Sequence, residues 1–158
     1  MSLQSVALWL SETPLALELA DSNWLFGTVE ALHVAALSLV IGSIALVDLR
    51  LIGVGPARGT AQEVLDRLVP FTLVGFGLAL ASGSVLIFAN PIGYSENFWF
   101  AVKFSLLALA GINALVFHLF AQRKLAEGGS IVPRISGAIS LTLWLGIVIA
   151  GRWIGYTL

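Results

Sequence analysis

Four uninterrupted apolar stretches leave this chain very few ways to fold. They run from about Leu25 to Val47, Leu68 to Ala89, Phe98 to Ala121 and Ile135 to Tyr156. Each is long enough to cross a bilayer, which takes about 20 helical residues at 1.5 Å rise. Hydrocarbon offers no partner to an unpaired amide, so a spanning segment closes its hydrogen bonds within a helix or around a closed barrel. The alternating pattern of barrel strands is absent. The expectation is an all-α integral membrane protein. A four-helix transmembrane bundle fills residues 23–158, and a short interfacial helical segment, residues 1–22, precedes it.

Composition agrees. Only 11% of the 158 residues are charged, against roughly 25% in a soluble domain. Eight Lys and Arg against nine Asp and Glu give a net charge of −1, which leaves no basic footprint for nucleic acid. The chain has no cysteine, which removes disulfides, iron–sulfur clusters, thiolate catalysis and cysteine zinc sites. With a single methionine as well, copper(I) has no soft ligand set.

Polar connections separate the spans: GVGPARGTAQEVLDR, with Gly53, Gly55, Pro56 and Gly59 as breakers, then NPIGYSEN, then QRKLAEGGSIVPR. Arg50, Arg58 and Arg67 belong to the first connection or its edges, and Arg123, Lys124 and Arg134 to the third. The first 24 residues and the second connection carry no Lys or Arg. By the positive-inside rule both termini lie on the non-cytoplasmic side, and a bacterial inner membrane is the expected location. Trp24, Tyr94, Trp99, Trp153 and Tyr156 then form an outer aromatic belt. Leu3, Val6 and Leu10 share one helical face, and Thr13-Pro14 reads as an N-cap followed by proline at the first helical position. Residues 2–20 are therefore expected as one or two short helices on the outer surface. Small residues every fourth position predict packing seams: Gly75, Ala79 and Gly83 in the second span, and Ala138, Thr142, Gly146 and Ala150 in the fourth.

Charges at membrane depth are costly and therefore informative. Counting from mid-span, His33, Lys103 and Arg152 each fall about 10 Å toward the outside, with Glu30 one turn beyond His33. Ser82 and Ser84 lie near that height. An inner group holds Asp48, Arg50, Arg123, Arg134 and His118. Within it Asp48 is expected to pair with an arginine or with His118. Asn113, mid-span, is expected to join two helices. The two histidines differ in depth by about 20 Å, so they cannot clasp one haem. His33 alone can serve as an axial ligand, with Lys103 and Arg152 for propionates and Glu30 orienting the imidazole. The same outer cluster also reads as a purely structural network, with Glu30 neutralising Lys103 or Arg152 and His33 bonded to a carbonyl.

The stretch EALHVAALSLVIGSIALVDLRLIG, residues 30–53, resembles the first core helix of small bacterial four-helix membrane proteins. These include the HemJ-type protoporphyrinogen oxidases and the copper-resistance D-type membrane domain. Leu32-His33, Gly42 and Arg50-Leu51 carry the resemblance, and Lys103 and His118 in the third span look like the HemJ pattern. GRWIGY, residues 151–156, resembles the ending of an uncharacterised branch. The resemblance implies a b-type haem or porphyrin in the bundle, with His33 at the family histidine. In place of the Pro-Arg-Leu-Phe run of the HemJ type this chain has Asp48-Leu49-Arg50-Leu51, a departure that argues against the oxidase activity itself.

The expectation is thus a haem b protein of the membrane serving electron transfer or redox chemistry. Its site residues would be His33, Lys103, Arg152 and Glu30, with Asp48, Arg50 and His118 as a secondary cluster. Its surroundings would be the lipid bilayer, a quinone or redox partner protein, and a homo-oligomer or larger complex. The rivals are an accessory subunit holding a carotenoid, quinone or lipid, and a small proton-coupled transporter using Glu30 and His33.

Overall fold

The computed structural model describes residues 3–22, 24–54, 59–127 and 130–158. Gly55, Pro56 and Arg58 lie outside the described residues, as do the side chains of Leu3, Ala126 and Glu127. Among the described residues the chain is helical and has no strand. In order the helices are α1 (Leu3–Ser11), α2 (Pro14–Asp21), α3 (Leu25–Ile52), α4 (Ala61–Ile87), α5 (Pro91–Glu96), α6 (Phe98–Val116), α7 (Gln122–Glu127) and α8 (Val132–Thr157). A π-helical turn, Phe117–Ala121, joins α6 to α7. The four spans are α3, α4, the continuous run Phe98–Leu125, and α8. Their outward apolar side chains face lipid: Leu32, Leu73, Ile112 and Leu145 are 58–66% exposed.

The helices outlast their apolar stretches because their ends are capped. α4 begins at Ala61, before the expected Leu68, because Thr60 accepts from the Glu63 amide while Glu63 reaches back to the Thr60 amide. α3 runs on to Ile52 and stops at Gly53, whose φ of 91° only glycine adopts readily. At the N-terminus the expected cap is present. The Thr13 hydroxyl accepts from the Ala16 amide and Pro14 opens α2, dividing the interfacial segment into two short helices. α1 packs on α5, which places the N-terminal helices at the end of the bundle that carries the α4–α6 connection.

α3 packs along both α4 and α8, and α8 along α6; α4 and α6 form no comparable pairing. The α4 seam is as expected. A Cβ on Gly75 would lie 3.0 Å from Val40 Cγ2 and 3.2 Å from the Ala36 carbonyl, so only glycine allows this approach. The α8 seam holds in its second half, where the Gly146 Cβ position is 3.1 Å from Leu106 Cδ1 and Ala150 is buried, and departs in its first half. Ala138 and Thr142 are exposed, and the buried face carries Ser136, Gly137, Trp144, Ile147, Ala150 and Ile154. Gly137 is the residue at closest approach, its Cβ position 3.1 Å from the Asp48 carbonyl; it sits one residue, and so about 100°, round the helix from Ala138. Apolar packing gathers in two layers. Val40, Ala110, Trp144 and Ile147 fill the middle, and Val47, Leu51, Val64, Leu65, Phe117 and Ala121 the end bearing the basic connections.

Candidate functional site

Two polar sites lie at opposite ends of this packing. In the outer one, His33 on α3 points at α4. Its Nδ1 is 3.0 Å from the Ser82 hydroxyl oxygen, and that hydroxyl donates to the Leu78 carbonyl at 2.7 Å. A hydroxyl that donates to Leu78 accepts from Nδ1–H, and in that tautomer Nε2 is the acceptor nitrogen. The ring lies in a notch made by Gly83, where a Cβ would come within 2.9 Å of Cε1. The Ala79 carbonyl lies beside the same ring. Lys103 of α6 reaches this level, close enough to His33 to act on it electrostatically. Its Nζ also lies 3.7 Å from the space a Cβ on Gly151 of α8 would take. Three helices thus bring His33, Ser82 and Lys103 together at one depth.

Glu30 and Arg152 stand apart. Arg152 is exposed; it donates to the Tyr156 hydroxyl at 3.0 Å and its guanidinium lies 4.6 Å from that ring's centre. Glu30 is exposed and acts on Tyr94 of α5. Burial, and then the Glu30 carboxylate, push the Tyr94 phenol above its ordinary value. Among the described residues Glu30, Lys103 and Arg152 form no ion pair, so the expected neutralisation of Lys103 or Arg152 by Glu30 is absent. His33 meets the Ser82 hydroxyl, and the Ala79 carbonyl of α4 also bonds the ring, as the structural reading expected. Of the expected aromatic belt, Trp99 and Trp153 stack at 5.7 Å and Trp153 meets Tyr156 edge-on.

The inner site is built around Asp48, which is 4% exposed. One carboxyl oxygen, Oδ2, is buried without a hydrogen-bond partner, while the Ser140 hydroxyl of α8 faces the group. The expected pairing with an arginine or with His118 does not form. Arg50, two residues along and so about 200° round the helix, turns away to donate to the Gly59 carbonyl. A cavity of about 270 Å³ opens beside Asp48 among α3, α4, α6 and α8, and His118 lies on its wall. As expected, Asn113 joins two helices: it donates to the Ser136 carbonyl at 3.2 Å and accepts from the Ser136 hydroxyl at 3.3 Å.

Asp48 follows His33 by fifteen residues on α3, and His118 follows Lys103 by fifteen on α6. These spans run in the same direction, so one displacement of about 22 Å carries the outer pair onto the inner pair. Val40, with no exposed surface, and the rest of the middle layer lie between. Sequence reasoning passed over Thr72 and Ser140; only the identity of the facing helices gives such hydroxyls meaning. Among the described residues no three His, Cys, Asp or Glu side chains gather as a metal-binding group.

Residues 23–157 match the model of DUF6644, a family of unknown function, and the chain belongs to that family. No curated protein and no solved structure matches the chain.

Proposed function

For this member of DUF6644 we propose that it binds a b-type haem, or a related porphyrin, at His33 in the outer half of the bundle, in support of membrane electron transfer. The observation that carries this reading is the state of the imidazole. Its Nδ1 meets the Ser82 hydroxyl at 3.0 Å, and an Nδ1–H donated there would leave Nε2 for a metal, as the partners of a metal-bound histidine do. The donor set fits the group: an imidazole, a glycine whose missing Cβ lets that ring seat against α4, and an ammonium at the same depth.

A bound haem would supply one-electron chemistry. The chain's own residues do the rest. Ser82 holds the ring against rotation. Lys103 meets the carboxylate of a side group. α4 and α6 do not pack closely on each other, which would give a flat apolar molecule an approach from lipid. Arg152 and Glu30 have no part in holding it, because they face Tyr156 and Tyr94. The placement in a bacterial inner membrane with both termini outside is part of the proposal. It rests on Arg50, Arg67, Arg123, Lys124 and Arg134, which lie at the end opposite α1 and α5.

The test is the absorption spectrum of detergent-purified protein before and after dithionite, then after titration with haemin. A Soret band that sharpens and shifts on reduction in the wild type, and is lost in His33→Ala, is the expected result. A wild type that takes up no haemin, or a His33→Ala variant with the wild-type spectrum, would overturn it.

A further inference from the structure

The cavity beside Asp48 differs from an ordinary packing defect in which of its polar atoms are spoken for. Every hydroxyl and amide donor on its wall with a hydrogen bond in the structure has spent it on the protein. Thr72 donates to the Leu68 carbonyl at 3.1 Å and shares a 2.7 Å contact with Ser43. Ser136 and Asn113 serve each other. Ser140 faces the Asp48 carboxyl.

Two acceptors are left over. Asp48 Oδ2 is buried and unpartnered. On the α6 wall, His118 Nδ1 lies 3.0 Å from the Gln122 carbonyl oxygen. An amide oxygen only accepts, so Nδ1 donates, and in the neutral imidazole Nε2 is then the acceptor. A buried, unsatisfied polar group costs about 1–3 kcal/mol, and more when charged. Placed against a cavity, such a group is where an entering donor would be received.

We propose that this cavity binds the head of a lipid-soluble quinol: an apolar six-membered ring with two hydroxyl donors, received by Asp48 on α3 and by His118 on α6. The match is one of kind, since Asp48 Oδ2 and His118 Nε2 can accept and the ligand brings two donors. The remaining surface is apolar, formed by Ile44, Val47, Phe76, Leu107, Phe117 and Trp144. The volume, about 270 Å³, equals the liquid volume of about nine waters and takes one substituted ring. The mouth faces lipid. Leu73 of α4 and Gly111 and Ala114 of α6 line the cavity and are exposed, so an isoprenoid tail can leave between α4 and α6. A cationic amphiphile also brings donors, but Arg50, Arg123, Lys124 and Arg134 crowd this end of the bundle and oppose a positive head.

The inference is independent of the haem reading, because the inner site shares no residue with the outer one. The test is titration calorimetry of the detergent-solubilised protein with decyl-benzoquinol, kept reduced under argon and corrected with a protein-free micelle blank. Saturable binding is expected, and Asp48→Leu and His118→Leu should each weaken it at least tenfold. The oxidised quinone, which has no donors, should bind at least tenfold more weakly than the quinol, and His33→Ala should bind it as the wild type does. His118 is exposed, so its variant keeps the test informative even if Asp48→Leu fails to fold. Equal binding of quinol and quinone, unchanged affinity in His118→Leu, or tighter binding of dodecylamine than of the quinol would each overturn the proposal.

Discussion

Replacing Gly83 by alanine should disturb His33 and nothing else, and the geometry gives the size of the effect. The new Cβ would stand 2.9 Å from His33 Cε1, whereas carbon atoms settle at about 3.5–4.0 Å. The ring must therefore move by about 0.6 Å at least. A shift of that size away from α4 takes the Nδ1–Ser82 distance from 3.0 Å to about 3.6 Å, where no hydrogen bond survives. Overpacking costs about 1–3 kcal/mol, and an interhelical hydrogen bond in a membrane about 0.6 kcal/mol more. Against this, alanine in a helix interior gains about 0.5–1 kcal/mol over glycine. A net loss of about 0.6–3 kcal/mol follows. In a His33→Ala background the ring and its bond are already gone, so the same substitution should be neutral or stabilising by up to about 1 kcal/mol. Reversible unfolding of the four proteins in mixed micelles closes the double-mutant cycle. A coupling energy of about 1.6–3.6 kcal/mol is expected. If Gly83→Ala cost the same in both backgrounds, to within about 0.5 kcal/mol, the notch would not be shaped by the imidazole and the account of the outer site would fall.

Two further outcomes follow from the outer face. Tyr94 is held above the ordinary phenol range by burial and, secondarily, by Glu30. The stability gained by keeping it neutral is therefore complete below about pH 10 and lost as pH climbs through the raised value. In Tyr156→Phe the 295 nm absorbance follows Tyr94 alone; Glu30→Gln should move its midpoint down without restoring the ordinary value, and no movement would refute the contact. Arg152→Leu loses a cation–π contact worth about 0.5–1 kcal/mol but should leave haemin affinity unchanged; a tenfold loss would return Arg152 to the site.

The spans, their connections, the Thr13 cap, the α4 seam and the Asn113 link were legible because each depends on local chemistry or on depth. Depth follows from counting residues at 1.5 Å, and it placed His33, Lys103 and Arg152 correctly on one level. Facing direction does not follow from counting. It turns by 100° per residue and is set by which neighbour a helix packs on. Gly151 meets Lys103, so Arg152, the next residue, is rotated away toward Tyr156. The same rotation moved the α8 seam from Ala138 to Gly137 and turned Arg50 away from Asp48. In each case the sequence holds the right residue type at the right height, and one position decides which side of the helix it serves.

That rule also explains why the inner carboxyl could be misjudged from sequence. An aspartate among arginines at a membrane edge is expected to find a cation, because ion pairing there is inexpensive. Asp48 does not sit at the edge, since Gly137 allows α8 to close over its backbone and the side chain is carried inside the bundle. The same glycine that buries the carboxyl leaves it with a hydroxyl for company where an arginine was expected. Above it, Val40 and Ile147 fill the axis with exposures of 0% and 2%, so water cannot connect it to His33. Two chemically separate sites about 22 Å apart, joined only by rigid helices, are what this packing supports. A continuous proton path between them would require the middle layer to open.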